Sequence, residues 1–175
     1  QKFMRTLQKA NTIQSIREVW WDIRPHPGFG TVEIRVCDAV PTIEEMVNLA
    51  ALIQCLVKGL SNHYDAGSQL ELLDSWIINE NKWRATRFGL DAEIIIDGEG
   101  NLQSLKKFIM DTINKLLPIS IDLECKNELS CLGDIVENNN VPYNRQINEY
   151  NKNNDYTDII QLYIQELEKT VASIC

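Results

Sequence analysis

Residues 18–38 constrain the fold more than any other stretch. Glu18 to Arg24 alternates, with Val19, Trp21 and Ile23 against Trp20, Asp22 and Arg24. Thr31 to Asp38 alternates again, with Val32, Ile34 and Val36 against Glu33, Arg35 and Cys37. Successive side chains of a strand point to opposite faces, so each run predicts a strand with one buried face. The intervening Pro25-His26-Pro27-Gly28-Phe29-Gly30 is a loop by composition. Two such strands across a short loop predict an antiparallel hairpin. Its apolar face must cover a core. Its other face presents Trp20, Asp22, Arg24, Glu33 and Arg35.

Two registers keep these faces apart. In one, Arg24 stands opposite Glu33 and Asp22 opposite Arg35, giving two cross-strand ion pairs on a charged solvent face. In the other, Asp22 faces Glu33. Two carboxylates about 5 Å apart repel by roughly 3 kcal/mol at an effective dielectric near 20. That register requires a proton or a cation, and a hard divalent ion with oxygen ligands suits it. Arg35 on the same face would then grip a phosphate held by the ion.

Elsewhere the pattern is mostly helical. Residues 1–12 read as the end of a helix, cut from a longer protein, because no initiator Met precedes them. Thr42 and Glu45 form a capping-box pair, followed by a stripe of Met46, Leu49, Ala50, Ile53, Val57 and Leu60 that predicts a helix ending near Ser61-Asn62. A second helix is predicted from about Ser68, boxed by Glu71, to Phe88, with Gly89 as its C-cap. Ala92 to Ile96 reads as a strand and Asp97 to Asn101 as a turn. From Leu102 onward the pattern is helical, broken at Pro118 and at Asn138-Asn139-Asn140, with a last helix over about 157–173. Asn151 to Asn154 reads as a loop. The organisation predicted is a hairpin-plus-helices part over 1–100 and a helical C-terminal segment over 101–175.

Composition excludes several classes. The 175 residues are 44 % hydrophobic and 24 % charged, enough for a core. A net charge of -8 without a basic cluster disfavours nucleic acid and anionic membranes. No apolar run nears the roughly 20 residues that span a bilayer. The five cysteines, Cys37, Cys55, Cys125, Cys131 and Cys175, are odd in number and irregularly spaced, which predicts reduced thiols and a cytoplasmic protein. Cys125 and Cys131 lack neighbours to complete a zinc site.

Several tempting motifs carry less. Gly28 and Gly30 join strand to strand, whereas a dinucleotide fingerprint needs strand to helix. Asp97 to Asn101 lacks the glycine and distal glutamate of a calcium loop. Lone His26 and His63 are given no role. Arg84 and Arg87, three apart at a helix end, complement its dipole or form an anion site; the first reading needs nothing further.

The residues Trp20-Trp21-Asp22-Ile23-Arg24-Pro25-His26-Pro27-Gly28-Phe29-Gly30-Thr31-Val32-Glu33-Ile34-Arg35-Val36-Cys37-Asp38 resemble the signature of the glutamate–cysteine ligase type 2, or carboxylate–amine ligase, family. Glu80-Asn81-Lys82-Trp83-Arg84-Ala85-Thr86-Arg87-Phe88-Gly89-Leu90-Asp91-Ala92 resembles a second block, and Val141-Pro142-Tyr143-Asn144-Arg145-Gln146 a third that departs from the usual residues before its Arg-Gln. The resemblance implies an α+β chain, part of a glutamine-synthetase-like fold: an antiparallel sheet with flanking helices, here with a helical C-terminal tail. It implies ATP and Mg2+ as cofactors, and a carboxylate activated as an acyl phosphate for attack by an amine. Glutamate with cysteine is the typical pair. Glu33 is then similar to a magnesium ligand and Arg35 to an arginine on the transferring phosphoryl group. Arg24 resembles a second anion-binding arginine. Asp22 is carried over as a further metal ligand, and Arg84 and Arg87 as substrate or phosphate contacts. The resemblance thereby favours the register that faces Asp22 with Glu33.

A missing N-terminal half is implied as the first partner, small-molecule substrates and a homo-oligomer as others, and no ligase activity is expected of this stretch alone. The alternative function is a truncated or degenerate ligase half that binds and orders a partner chain through its sheet edge.

Overall fold

The computed structural model describes residues 2–174. Gln1, counted above in the first helix, and Cys175, counted among the thiols, lie outside them. The described residues form an α+β chain of two compact units, divided between Ala39 and Val40.

The first unit holds helix α1 (Lys2–Lys9) and the strands β1 (Ile23–His26) and β2 (Thr31–Ile34), which pair antiparallel. The predicted hairpin is present but shorter than the alternation suggests. Ile16–Glu18 is a single 3-10 turn, because Ser15 caps it and Glu18 folds back onto the Gln14 and Ser15 amides at 3.0–3.2 Å. Gly30 closes the loop at φ 63°, a backbone that favours glycine. Of the face expected to cover a core, Val19 is buried and Trp21 and Ile34 half-buried, while Ile23, Val32 and Val36 are exposed.

The second unit begins with α2 (Ile43–Asp65). Thr42 caps it, its hydroxyl accepting from the Glu45 amide at 3.1 Å. The expected reciprocal bond to backbone is replaced: Glu45 Oε2 meets the Thr42 hydroxyl, and its other oxygen serves Arg145. The buried line of α2 is Glu45, Asn48, Ala51 and Cys55, not the predicted stripe. Met46, Val57 and Leu60 of that stripe are exposed. Small side chains explain the shift, since they let another helix approach. A Cβ on Gly59 would lie 3.2 Å from Ile119.

Helix α3 (Ser75–Phe88) starts seven residues later than the Ser68 box predicts, with Asp74 in the N-cap position but making no side-chain cap bond. Gly89 ends it at φ 57°. Then β3 (Glu93–Ile95) pairs with β4 (Leu102–Ser104), a strand that the sequence reading took for the start of a helix. Asn81 reaches from α3 to β3 and binds both the amide and the carbonyl of Ile95, at 2.8 and 2.7 Å. Helix α4 (Leu105–Asp122) runs straight through Pro118, where a break was expected. A proline there removes one intrahelical bond; burial of Ile113, Leu116 and Ser120 holds the helix on both sides of it.

Helices α5 (Lys126–Glu137), α6 (Pro142–Asn153) and α7 (Tyr156–Ile174) complete the unit. Cys55, Ile113, Leu116 and Leu129 form the core where α2, α4 and α5 meet. The Asn138–Asn140 break is present. The loop predicted at 151–154 shrinks to Asn154, a left-handed cap. No helix of the described residues is long and apolar enough to cross a membrane.

Candidate functional site

The polar face of the hairpin carries the densest chemistry of the first unit. Arg24 stands opposite Glu33. Its Nε and Nη2 both donate to Glu33 Oε2, at 2.9 and 2.5 Å, and its Nη1 donates to the Arg17 carbonyl at 2.7 Å. Arg35 Nη1 approaches the other Glu33 oxygen at 3.3 Å, and its guanidinium lies over the Trp20 ring at 5.0 Å. The Arg35 amide donates to the Asp22 carbonyl at 2.7 Å, which extends the ladder by one pair.

The register is therefore the ion-pair one. This corrects the register favoured by the family resemblance, in which Asp22 faces Glu33. The physical reason is that each carboxylate oxygen of Glu33 meets a guanidinium, which neutralises it without a metal. Asp22 lies diagonal to Glu33 on the same face, roughly 7–8 Å away in an antiparallel ladder. Arg24 is well buried, its side chain 13 % exposed, whereas Glu33 is 43 % exposed. The site thus opens to solvent at the carboxylate.

At the loop tip, the His26 ring stacks on Phe29 with centroids 4.4 Å apart, and its Nδ1 is buried without a hydrogen-bond partner. The sequence reading gave His26 no role.

Arg84 and Arg87 lie in the second unit, and they do not converge. Arg84 Nε binds Glu80 at 2.8 Å, and its Nη1 donates to the Glu93 carbonyl at 3.2 Å. Arg87 lies over the neighbouring Phe88 ring at 5.4 Å. A cleft of about 340 Å3 lined by Glu80, Trp83, Arg84, Phe88, Asp91 and Glu93 holds Arg84. A more apolar groove of about 540 Å3, lined by Leu56, Gly59, Leu60, His63, Lys115 and Ile119 among others, holds none of the candidate residues.

Two clusters escaped the sequence reading, although both use the third block. Arg145 on α6 binds Glu45 of α2 at 2.8 Å and Glu166 of α7 at 2.9 Å. Burial opposes its charge, but the two carboxylates more than compensate and hold the guanidinium charged above its ordinary range. Tyr143, two residues earlier, accepts the Leu90 amide at 2.8 Å and rests on Gly89. The second block thus meets the third inside one unit.

The sequence profile of Glutamate-cysteine ligase family 2 (GCS2) matches residues 1–163. The chain belongs to this family. Similar proteins provisionally named glutamate–cysteine ligase 2-1 occur in Frankia alni, 43 % identical over 95 % of this chain, and in Frankia casuarinae, 51 % identical over 74 % of it. A protein of Thermobifida fusca provisionally named glutamate–cysteine ligase 2 is 42 % identical over 95 % of this chain. The chain spans less than half the length of these family members, 44, 34 and 41 % respectively.

Two guanidiniums on one face of the hairpin are groups of the kind that grip phosphates. A magnesium ion takes six oxygens in near-octahedral geometry. Among the described residues no group of three or more His, Cys, Asp or Glu side chains is placed to hold a metal. Arg24, Arg35, Asp22 and Glu33 are of the types that a phosphate and a hard cation use, but two carboxylates are fewer than such a cation's ligand set, and both guanidiniums are engaged by Glu33.

Proposed function

We propose that this chain is part of the catalytic domain of an ATP-dependent carboxylate–amine ligase of the glutamate–cysteine type, within a glutamine-synthetase-like fold. The observation that carries the reading is the Arg24–Glu33–Arg35 cluster, which lies inside the first family block. The reaction moves the terminal phosphoryl group of ATP onto a substrate carboxylate, and an amine then displaces phosphate. Such transfers depend on positioning and on neutralising charge spread over phosphoryl oxygens.

Arg24 and Arg35 are the groups that bind those oxygens in this reading, with Arg35 nearest the transferred group. The Arg17 carbonyl holds Arg24 Nη1, while its Nε and Nη2 would exchange Glu33 for the anion. Magnesium, when bound, would screen the phosphate charge. Glu33, with Asp22, would offer it carboxylate oxygens as Arg24 and Arg35 turn to the anion. The remaining ligands would come from the longer protein implied by the relatives' length. Arg84 and Arg87 remain candidate substrate contacts, although Arg84 is occupied by Glu80 and Glu93. Glutamate and cysteine, or another amine, are the proposed substrates. The cytoplasm is the proposed compartment, and the stretch alone is proposed to be inactive.

The test follows phosphate release from ATP with magnesium, glutamate and a panel of amines, in a protein carrying this chain at its relatives' length. Release that needs both substrates and collapses in Glu33→Gln supports the reading. Undiminished release in Glu33→Gln leaves Glu33 as half of a surface ion pair. No release with any amine would favour a non-catalytic, partner-binding half.

A further inference from the structure

Cys55 lies mid-way along α2 with no solvent exposure, and Cys125 is the N-cap of α5. Their sulfurs are 3.6 Å apart across 70 residues of chain, and both are free thiols. Neither belongs to the hairpin cluster or to the arginines of α3. A buried cysteine alone is an ordinary small core residue. Two facing ones are a chemical pair, because a disulfide needs its sulfurs about 2.05 Å apart. These two must close by roughly 1.5 Å to bond.

We propose that Cys55 and Cys125 are an oxidation site, which a small-molecule disulfide converts into an intrachain cross-link between α2 and α5. Access favours one order of events. Cys55 is sealed, and burial together with Cys125 pushes its thiol up to about 11. Cys125 is half-buried at a helix end and meets the reagent first. Its thiol loses a proton to solvent, and the thiolate attacks one sulfur of the reagent and expels one small thiol. Cys55 then gives up its proton and attacks Cys125 Sγ, and the second small thiol leaves. Two protein thiols are oxidised and one disulfide is reduced to two thiols, so atoms and electrons balance.

The cross-link closes a loop of about 70 residues and so restricts the unfolded chain strongly. Oxidation should therefore raise the melting midpoint by about 5–10 °C if the bond forms without strain. Ile113, Leu116 and Leu129, packed around the pair, hold it in place.

The experiment uses the chain with Cys37→Ser, Cys131→Ser and Cys175→Ser, which keeps only the pair. The folded protein is treated with 2-hydroxyethyl disulfide, quenched in acid, unfolded and alkylated. The expected result is a loss of two hydrogens in mass, no alkylation, a linked Cys55–Cys125 peptide and a higher melting midpoint, all reversed by dithiothreitol. A stable single adduct on Cys125 with Cys55 still alkylated would overturn the proposal. So would two untouched thiols in a folded chain whose unfolded form oxidises readily. If the triple variant does not fold, the peptide map is made on the unaltered chain. There Cys55–Cys125 must dominate the linked pairs, and any other dominant pair overturns the assignment.

Discussion

Arg145 Nη2 and Glu45 Oε1 lie 2.8 Å apart, joined across 100 residues of chain. Glu166 takes the Nε edge of the same guanidinium at 2.9 Å. All three side chains are less than a fifth exposed. The Asn140 carbonyl accepts the remaining Nη1 at 2.6 Å. One arginine on α6 thereby fastens α2, α7 and the α5–α6 turn. Removing one partner of a buried ion pair strands the others' charge, at a cost of about 3–5 kcal/mol.

Arg145→Met should therefore destabilise the helical unit by about 3 kcal/mol, read as a lower urea midpoint at unchanged slope. Arg145→Lys keeps the charge but not the fork and should recover only part of the loss. A midpoint within 0.5 kcal/mol of the unaltered chain, on the order of ordinary surface substitutions, would deny the cluster this role.

Tyr143 and Gly89 make a second, independent contact between α6 and the end of α3. Tyr143→Phe leaves the ring in place but takes the acceptor from the Leu90 amide, which should cost about 1 kcal/mol. Gly89→Ala should cost more, about 2 kcal/mol or above. The new Cβ would collide with the Tyr143 phenol, and φ 57° with ψ -136° is a backbone only glycine adopts freely. Chemical unfolding of both variants, of Tyr143→Ala, and of Gly89→Ala combined with Tyr143→Ala checks this. The double variant should lose less than the sum of its parts, because the clash is removed.

The hairpin was legible because alternation and a Pro/Gly loop are local signals. Its register was not, since both pairings keep Asp22, Arg24, Glu33 and Arg35 on one face. The choice is made by Glu33, which meets two guanidiniums at once. The inward face of α2 was misread for a different reason. The helix carries apolar residues on more than one side, and its buried line includes Glu45 and Asn48. Glu45 faces inward because of Arg145, a partner that no helical period can reveal. The three-residue strand β4 rests on its pairing with β3, which Asn81 in turn ties to α3, and not on local propensity.

Glu33→Gln should leave the fold almost unchanged, with a loss below about 1 kcal/mol, because the carboxylate is 43 % exposed and solvent screens the pair. Circular dichroism and a urea titration measure this directly. The outcome matters for the activity test: a Glu33→Gln protein that unfolds early would make its lost turnover uninformative. A stable but inactive one would locate the defect in the chemistry.

Alkaline pH should weaken the helical unit through Cys55. Burial, then the hydrogen bond and proximity of Cys125, raise its thiol from 9.0 to about 11. The unfolded thiol ionises near the ordinary value, so above pH 9 the unfolded chain binds fewer protons than the folded one. The contribution is complete below pH 9 and is lost as pH rises toward 11. Tyr163 shifts the same way by burial and Tyr150 through its hydrogen bond with Tyr156, so raw alkaline unfolding mixes these groups. Cys55→Ala resolves them. Under reducing conditions, the gap in stability between the unaltered chain and Cys55→Ala should shrink between pH 8.5 and 11, while Tyr163 and Tyr150 contribute equally to both. A gap that stays constant over that window would mean that Cys55 ionises with the same ease folded and unfolded, and that the sulfur is less sealed than its packing indicates.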